Sequence, residues 1–262
     1  MLGGAERPCN LLGVILHVMK LHRIALVFAM GLLVASPSLA VDGANLLTDF
    51  GGNPGPPPGP WRFVGLPFQS KPMTEFRIVV RDGARVLEVK ADKSYGNLVH
   101  DVTGATSNAG ALSWRWQIEL DNPAGDPQKR SGDDHALAVC AMFDLPLSAV
   151  PFAERQALRA ARMTSGEALP TATLCYTWDA RQAQGATLDS PFTHRVRYLV
   201  LRGSGEPQQQ WQQERRDLRA DFLRLFGGEA GTVPPLLAIM VSADADNTRG
   251  HSLALLSDMV LQ

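Results

Sequence analysis

What this 262-residue chain lacks narrows its chemistry first. It contains no His-Glu-x-x-His pair, no glycine-rich phosphate loop and no dinucleotide fingerprint, the spacings that would bring a catalytic zinc, a nucleotide or a nicotinamide cofactor. Ser204 sits in Gly203-Ser204-Gly205, which is not the Gly-x-Ser-x-Gly elbow of a hydrolase nucleophile. Its 25 Lys+Arg balance 26 Asp+Glu, and the basic residues form no runs. Neither a nucleic acid nor an anionic membrane surface would find the positive field it needs. No apolar run reaches the roughly 20 residues of a spanning helix. Nor does any repeat of roughly 20–50 residues mark a solenoid or propeller.

The one sustained apolar stretch is Ile24 to Val34. Lys20 and Arg23 precede it, Pro37 stops it, and Ser38-Leu39-Ala40 supplies the small residues that a signal peptidase reads. The expectation is a signal peptide over residues 1–40, with 1–18 an over-extended start before Met19 and cleavage between Ala40 and Val41. The product is then periplasmic or secreted, with no membrane insertion after cleavage. No Cys follows the run to carry a lipid. The first forty residues hold three Lys/Arg and one Asp/Glu, so the mature chain carries 22 basic and 25 acidic residues, a net of −3. Its 222 residues (262 less 40) suit one domain with an ample core.

Cleavage leaves two of three cysteines, Cys140 and Cys175. An oxidising compartment invites a bridge, but both lie in apolar strand-like runs, the ordinary setting of small buried thiols. Buried thiols are the expectation; a bridge needs Cα atoms within about 7 Å. Neither has a metal-ligating neighbour at zinc spacing.

Residues 41–60 read as a Gly/Pro-rich leader, extended because Pro breaks both helix and ladder, with Trp61 and Phe63 docking first. From there, residues 61–262 read as one β-sandwich domain. Strands are expected over 76–80 and 86–89 around the Asp82-Gly83 turn, then over 97–102, 112–120, 136–143, 174–179, 196–201, 236–241 and 252–261. In 112–120, Trp114, Trp116, Ile118 and Leu120 alternate with Ser113, Arg115, Gln117 and Glu119, the period of a half-buried strand. Two short helices interrupt the series. One spans 152–163 after Pro151; the other spans 218–226, between the N-cap Asp217 and Gly227. The fold class is mainly β, an antiparallel β-sandwich of jelly-roll type with two short helices inserted.

Candidate chemistry collects in two acidic loops, Ser131-Gly132-Asp133-Asp134-His135 and Asp244-Ala245-Asp246-Asn247-Thr248. Asp244, Asp246 and Thr248 alternate as calcium ligands do, without the glycine and glutamate of an EF-hand; a structural calcium is the metal reading. The same loops serve equally as Asx turns. Asp133, Asp134, Asp244 and Asp246 are the acids available for paired-carboxylate hydrolysis. Trp114, Trp116, Tyr176 and Trp178 are expected in the core, while Trp61 and Trp211 are freer to be exposed. The polar strand faces then offer Arg115, Gln117, Glu119, Thr177, Asp179, Arg195 and Arg197 as a ligand floor.

Five motifs in order carry a family resemblance: Trp114-Arg115-Trp116, Gly132-Asp133-Asp134, Cys175-Tyr176-Thr177-Trp178, Asp217 to Gly227, and Asp244 to Thr248. Together they resemble the exported bacterial proteins of the domain-of-unknown-function family 3047, over Phe50 to Gln262. The resemblance implies a compact β-rich domain in a Gram-negative bacterium and transfers no catalytic residue. The ending at Asp258-Met259-Val260-Leu261 is similar in style to jelly-roll carbohydrate-binding modules.

The leading expectation is a non-catalytic binding domain of the cell envelope for a glycan, a small polar ligand or a protein partner. Arg115, Gln117, Glu119, Asp133, Asp134, His135, Asp179 and Asn247 would be its contacts. The alternative is a hydrolase of a polysaccharide or other envelope substrate, calcium-assisted or not. It requires Asp133 or Asp134 to meet Asp244 or Asp246 in one cleft.

Overall fold

In the computed structural model, residues 44–66, 69–103, 110–165 and 169–262 are described, so the export segment expected over 1–40 lies outside the described residues. Among the described residues no helix is long and apolar enough to cross a membrane. The described residues form twelve strands and two α-helices, in chain order β1 (Arg62–Val64), β2 (Glu75–Arg81), β3 (Ala84–Asp92), β4 (Tyr95–Asp101), β5 (Ala111–Leu120), β6 (Ala138–Phe143), α1 (Phe152–Ser165), β7 (Ala172–Trp178), β8 (Thr187–Ser190), β9 (Thr193–Arg202), β10 (Gln212–Asp217), α2 (Leu218–Phe226), β11 (Leu236–Asp244) and β12 (His251–Leu261).

They form a seven-stranded sheet, β1-β4-β11-β6-β7-β9-β8, and a five-stranded sheet, β10-β5-β12-β3-β2. Every pairing is antiparallel except β7 with β9. The expected mainly β sandwich with two short helices is what the chain forms.

Alternation in β5 decides how the sheets face. Leu112, Trp114, Trp116 and Ile118 are all at most 1% exposed, and they meet the inner face of the other sheet. Trp114 lies 5.3 Å from Tyr176 and Trp116 lies 5.9 Å from Trp178, ring centroid to centroid. Such cross-sheet aromatic pairs add roughly 0.5–1.5 kcal/mol each beyond area burial. The tryptophans point inward, as the period-two pattern requires. The Tyr176 hydroxyl donates to Asp221 Oδ2 at 2.8 Å, and Arg216 grips the same carboxylate at 2.7 and 2.9 Å, whereas the Trp114 indole N–H has no partner among the described residues.

The Asp82-Gly83 turn takes positive φ at both residues (51° and 78°), the geometry of a tight hairpin between β2 and β3. Helix α2 begins at Asp217, whose carboxylate accepts from the amides of Arg219 and Ala220 at 2.9 and 3.1 Å. Gly227 ends it at φ −59°, right-handed rather than left-handed. The Gly/Pro leader lies on the sandwich through Gly55, which exchanges backbone bonds with Ile78. Docking starts earlier than expected, at Leu47 and Phe50. Trp61, expected among the freer aromatics, is 5% exposed, because its indole N–H donates to Thr48 O at 2.8 Å.

Cys140 and Cys175 are a correction. They sit opposite one another in the β6–β7 register, 4.0 Å apart at Cα, and are joined as a disulfide rather than left as two buried thiols. Period-two alternation places both side chains on the same outer face; their contact depends on a strand pairing that no local pattern reveals.

Candidate functional site

The outer face of the seven-stranded sheet is not the uniformly polar surface that an exposed sheet would show. Ala138, Cys140, Cys175 and Tyr198 form a small buried apolar cluster there, flanked by Leu188, Val196 and Met240. The register explains the grouping: Met240, Cys140, Cys175 and Tyr198 lie in one row across β11, β6, β7 and β9. That row is the floor of a cleft of about 460 Å³. Asp133, His135, Asp244, Asp246 and Asn247 rise along its wall, with Tyr95 and Asn97 from β4.

Both acidic loops therefore meet. Backbone bonds start the convergence: His135 N–H donates to Asp244 Oδ1 at 2.7 Å, and Asp244 N–H donates to His135 O at 3.1 Å. The Asp134 carboxylate completes it. It accepts from Asn247 N–H at 3.0 Å, Thr248 N–H at 2.7 Å, the Thr248 hydroxyl at 2.5 Å and the Asn122 amide at 3.4 Å. Asn247 donates back to Asp133 O at 3.1 Å. Gly250 permits the close approach, since a Cβ there would stand 2.6 Å from Asn122 Oδ1. Asp134 and Thr248 are thus loop fasteners, with their polar atoms used within the protein.

The remaining wall groups differ in kind. Asp133, His135 and Asn97 are each 7% exposed, yet Asp133 Oδ1, His135 Nε2 and Asn97 Oδ1 are buried without a hydrogen-bond partner among the described residues. An unsatisfied buried polar atom costs about 1–3 kcal/mol unless something bonds it, and these three, unlike those of Trp114 and Ser252, belong to residues that line one cleft. Burial pushes the Asp133 carboxyl up to about 6, against the pull of His135 and with the help of the Asp244 charge. Burial acts to depress His135, but its bond to Asp244 and the charges of Asp244, Asp133 and Asp179 hold it above the usual imidazole range. His135 Nδ1 is 3.5 Å from Asp244 Oδ1, and burial likewise raises Asp244 while His135 opposes. The Tyr198 phenol is raised well above its ordinary value by burial and by the Asp133 and Asp244 charges. It stays neutral, able to donate, with its ring 4.7 Å from the His135 ring.

Asp134, Asp244 and Asp246 bring carboxylate oxygens within 4.8 Å of one another. As a cation site this set fits poorly. Asp134 carries four donors, Asp244 carries the His135 amide, and Asp246 is ion-paired with Lys71. A calcium would have to displace an ammonium and several N–H groups to collect its 6–8 oxygens. Thr248, the third member of the sequence triad, spends its hydroxyl on Asp134.

The sheet position of the other sequence candidates separates them from this cleft. Arg115, Gln117 and Glu119 face outward on β5 of the five-stranded sheet. There Arg115 pairs with Asp258 at 3.2 Å and lies over Trp211, while Gln117 donates to Glu119. Asp179 closes the turn after β7 by accepting from the amides of Arg181 and Gln182 at 2.7 and 3.0 Å. Arg195 is buried against Glu154 and Glu229. Sequence reasoning missed Tyr95, Asn97, Tyr198, Lys71, Ser190 and Phe192. Tyr198 alternates with Leu199 on β9, a signal that is readable only once the covered face is known.

No curated protein matches the chain. Among solved structures it is similar to the xyloglucanase domain of NopAA, a type three effector from Sinorhizobium fredii, in complex with cellobiose. The identity is 12% and the TM-score 0.36, over 82% of this chain and 90% of that one. A family model described as protein of unknown function (DUF3047) matches residues 59–260. The match spans most of the chain, which belongs to the DUF3047 family.

Proposed function

We propose that the chain is an exported binding domain whose cleft on the outer face of the seven-stranded sheet holds a neutral, hydroxyl-rich ligand of the glycan class. One observation carries the reading: Asp133 Oδ1, Asn97 Oδ1 and His135 Nε2, all on residues that line the cleft, have no partner among the described residues. The two oxygens accept. His135, held toward its protonated form with Nδ1 on Asp244, presents Nε2 as a donor. A ligand that both donates and accepts at adjacent points suits this wall, and a vicinal diol does so. Cys140, Cys175, Met240 and Tyr198 give the partly apolar floor that sugar rings favour, in line with the mixed lining of small-molecule sites. The acids disfavour an anionic sugar. Export is supported by the Cys140–Cys175 bridge, since disulfides persist in oxidising compartments.

Hydrolysis by the same cleft is the competing reading, favoured by the raised Asp133 carboxyl, which suits a general acid. It lacks a free second carboxylate: Asp134 is saturated, Asp244 is bonded to His135, and Asp246 is paired with Lys71. Titration calorimetry with cello-, chito- and xylo-oligosaccharides tests both. Binding without release of shorter products is expected, with at least tenfold loss in Asn97→Ala and Asp133→Ala. Silence across all neutral oligosaccharides would refute the binding reading, and product release would replace it with the hydrolytic one.

A further inference from the structure

A second, larger cavity adjoins the cleft. Its volume is about 830 Å³, and it runs between α1 and the β8–β9 hairpin. The two cavities share Ser190, Phe192 and Val196, so what separates them is the tip of that hairpin and not a wall of the sandwich. Cavities of about 300–1,000 Å³ each enclose a drug-sized molecule, so two in line are more than a single sugar residue fills.

Phe192 is the feature at the junction. It is 55% exposed. Its backbone is held, and one guanidinium lies against its ring. Arg130, from the loop that carries Asp133, donates to Pro191 O at 2.9 Å and lies 5.3 Å from the Phe192 ring centroid. The Phe192 N–H donates to Ser190 Oγ at 3.3 Å, and that hydroxyl donates to Asp133 Oδ2 at 3.4 Å. One hydrogen-bonded chain therefore ties the backbone of Phe192 to the carboxyl of the cleft. A half-exposed aromatic ring on a hydrogen-bonded backbone presents a flat apolar surface at low entropic cost. Beyond it the groove is bounded by the small side chains of Ala153, Ala157 and Ala161 on α1, with Glu154 and Arg195 paired to each other at its base. Small residues on that helix face keep the channel open, and the paired charges leave it near neutral.

We infer that the cleft and the groove form one channel for an oligomeric glycan, with Phe192 as the stacking platform where the chain passes from one half to the other. This rests on the glycan reading of the cleft and adds chain length to it.

Calorimetry on a neutral oligosaccharide length series, from disaccharide to hexasaccharide, decides the matter. The probe is whichever of the cello-, chito- and xylo-series binds the wild type. Affinity should rise at least tenfold from dimer to hexamer. Ala157→Trp fills the groove alone, from a solvent-exposed helix position that tolerates the larger side chain. It should abolish the gain and leave disaccharide affinity within twofold. Phe192→Ala should weaken the hexamer at least tenfold. Affinity that is flat with length, or equal losses for dimer and hexamer in Ala157→Trp, would overturn the channel while leaving the cleft reading intact. Failure of every member of all three series to bind overturns both.

Discussion

Replacing Asp133 by asparagine tests the electrostatics of the cleft directly. The carboxyl is raised from its ordinary 3.8 to about 6, chiefly by burial. A raised folded-state pKa in an acid means that the folded protein holds the proton more tightly than the unfolded chain does. Between those two pH values the folded state binds more protons, so stability falls as pH rises through the window. About two pKa units at 1.36 kcal/mol each give roughly 3 kcal/mol. Wild type therefore carries that penalty above pH 6 and is free of it below about pH 4. The Asp133→Asn variant would keep the shape and lose the proton. The groups facing Asp133 reinforce the sign. Removing its charge lowers His135, whose folded-state proton is stabilised by the same carboxylate, so the variant also sheds part of the loss that follows His135 deprotonation. Urea unfolding at roughly pH 4 and pH 7.5 should show the variant gaining about 3 kcal/mol on wild type between the two conditions. Any pH-independent cost of repacking cancels in that difference. A difference that is flat with pH, or that favours wild type at the higher pH, would refute the assignment of Asp133 as a desolvated acid.

Three further outcomes follow from the bonds around the cleft and core. Asp134→Ala removes the acceptor for four donors from Asn122, Asn247 and Thr248. It should cost about 2–4 kcal/mol, read by urea unfolding, and should abolish oligosaccharide binding because the two loops separate. Cys140→Ala with Cys175→Ala opens a loop of 35-residue separation, a loss of roughly 3–4 kcal/mol by chain entropy; a melting temperature indifferent to reductant in wild type would contradict it. Tyr176→Phe strips the hydroxyl from Asp221, leaving that carboxylate to Arg216 alone. About 1.5–3 kcal/mol should be lost in chemical denaturation, with no change in ligand affinity, since Tyr176 lies in the inter-sheet core.

Period-two alternation is a local signal, and it settles what is local. Nine strands and both helices are legible because their apolar residues recur at the right spacing and because Asp82-Gly83, Asp217 and Gly227 mark ends. Strands β1, β8 and β10 are not. The first two are only three and four residues long. The third, Gln-Gln-Glu-Arg-Arg-Asp, is an edge strand that buries only Glu214. Glu214 accepts from the Trp116 indole at 3.1 Å and from Arg202 at 2.7 Å. A strand whose one inward residue is a carboxylate shows no apolar period for a reader to find.

The site is half legible for a related reason. That Asp133, Asp134, Asp244 and Asp246 are candidates can be read from their density. That they meet cannot, because convergence depends on β6 and β11 being neighbours, a pairing between residues some hundred positions apart. More instructive is the floor. Apolar residues on both faces of 136–143 point to a strand covered on both sides, and the sandwich core accounts for only one of them. On the other, Cys140 meets Cys175, Tyr198 and Met240 beneath the loops, so the second cover is a cleft rather than a layer. Arg115, Gln117 and Glu119 qualify as a floor only by being polar, yet their strand face carries ion pairs and side-chain bonds of its own. A ligand that must be held above water needs desolvated groups and an apolar base. On the proposed reading of the cleft, the doubly apolar strand is therefore a better pointer than the polar one.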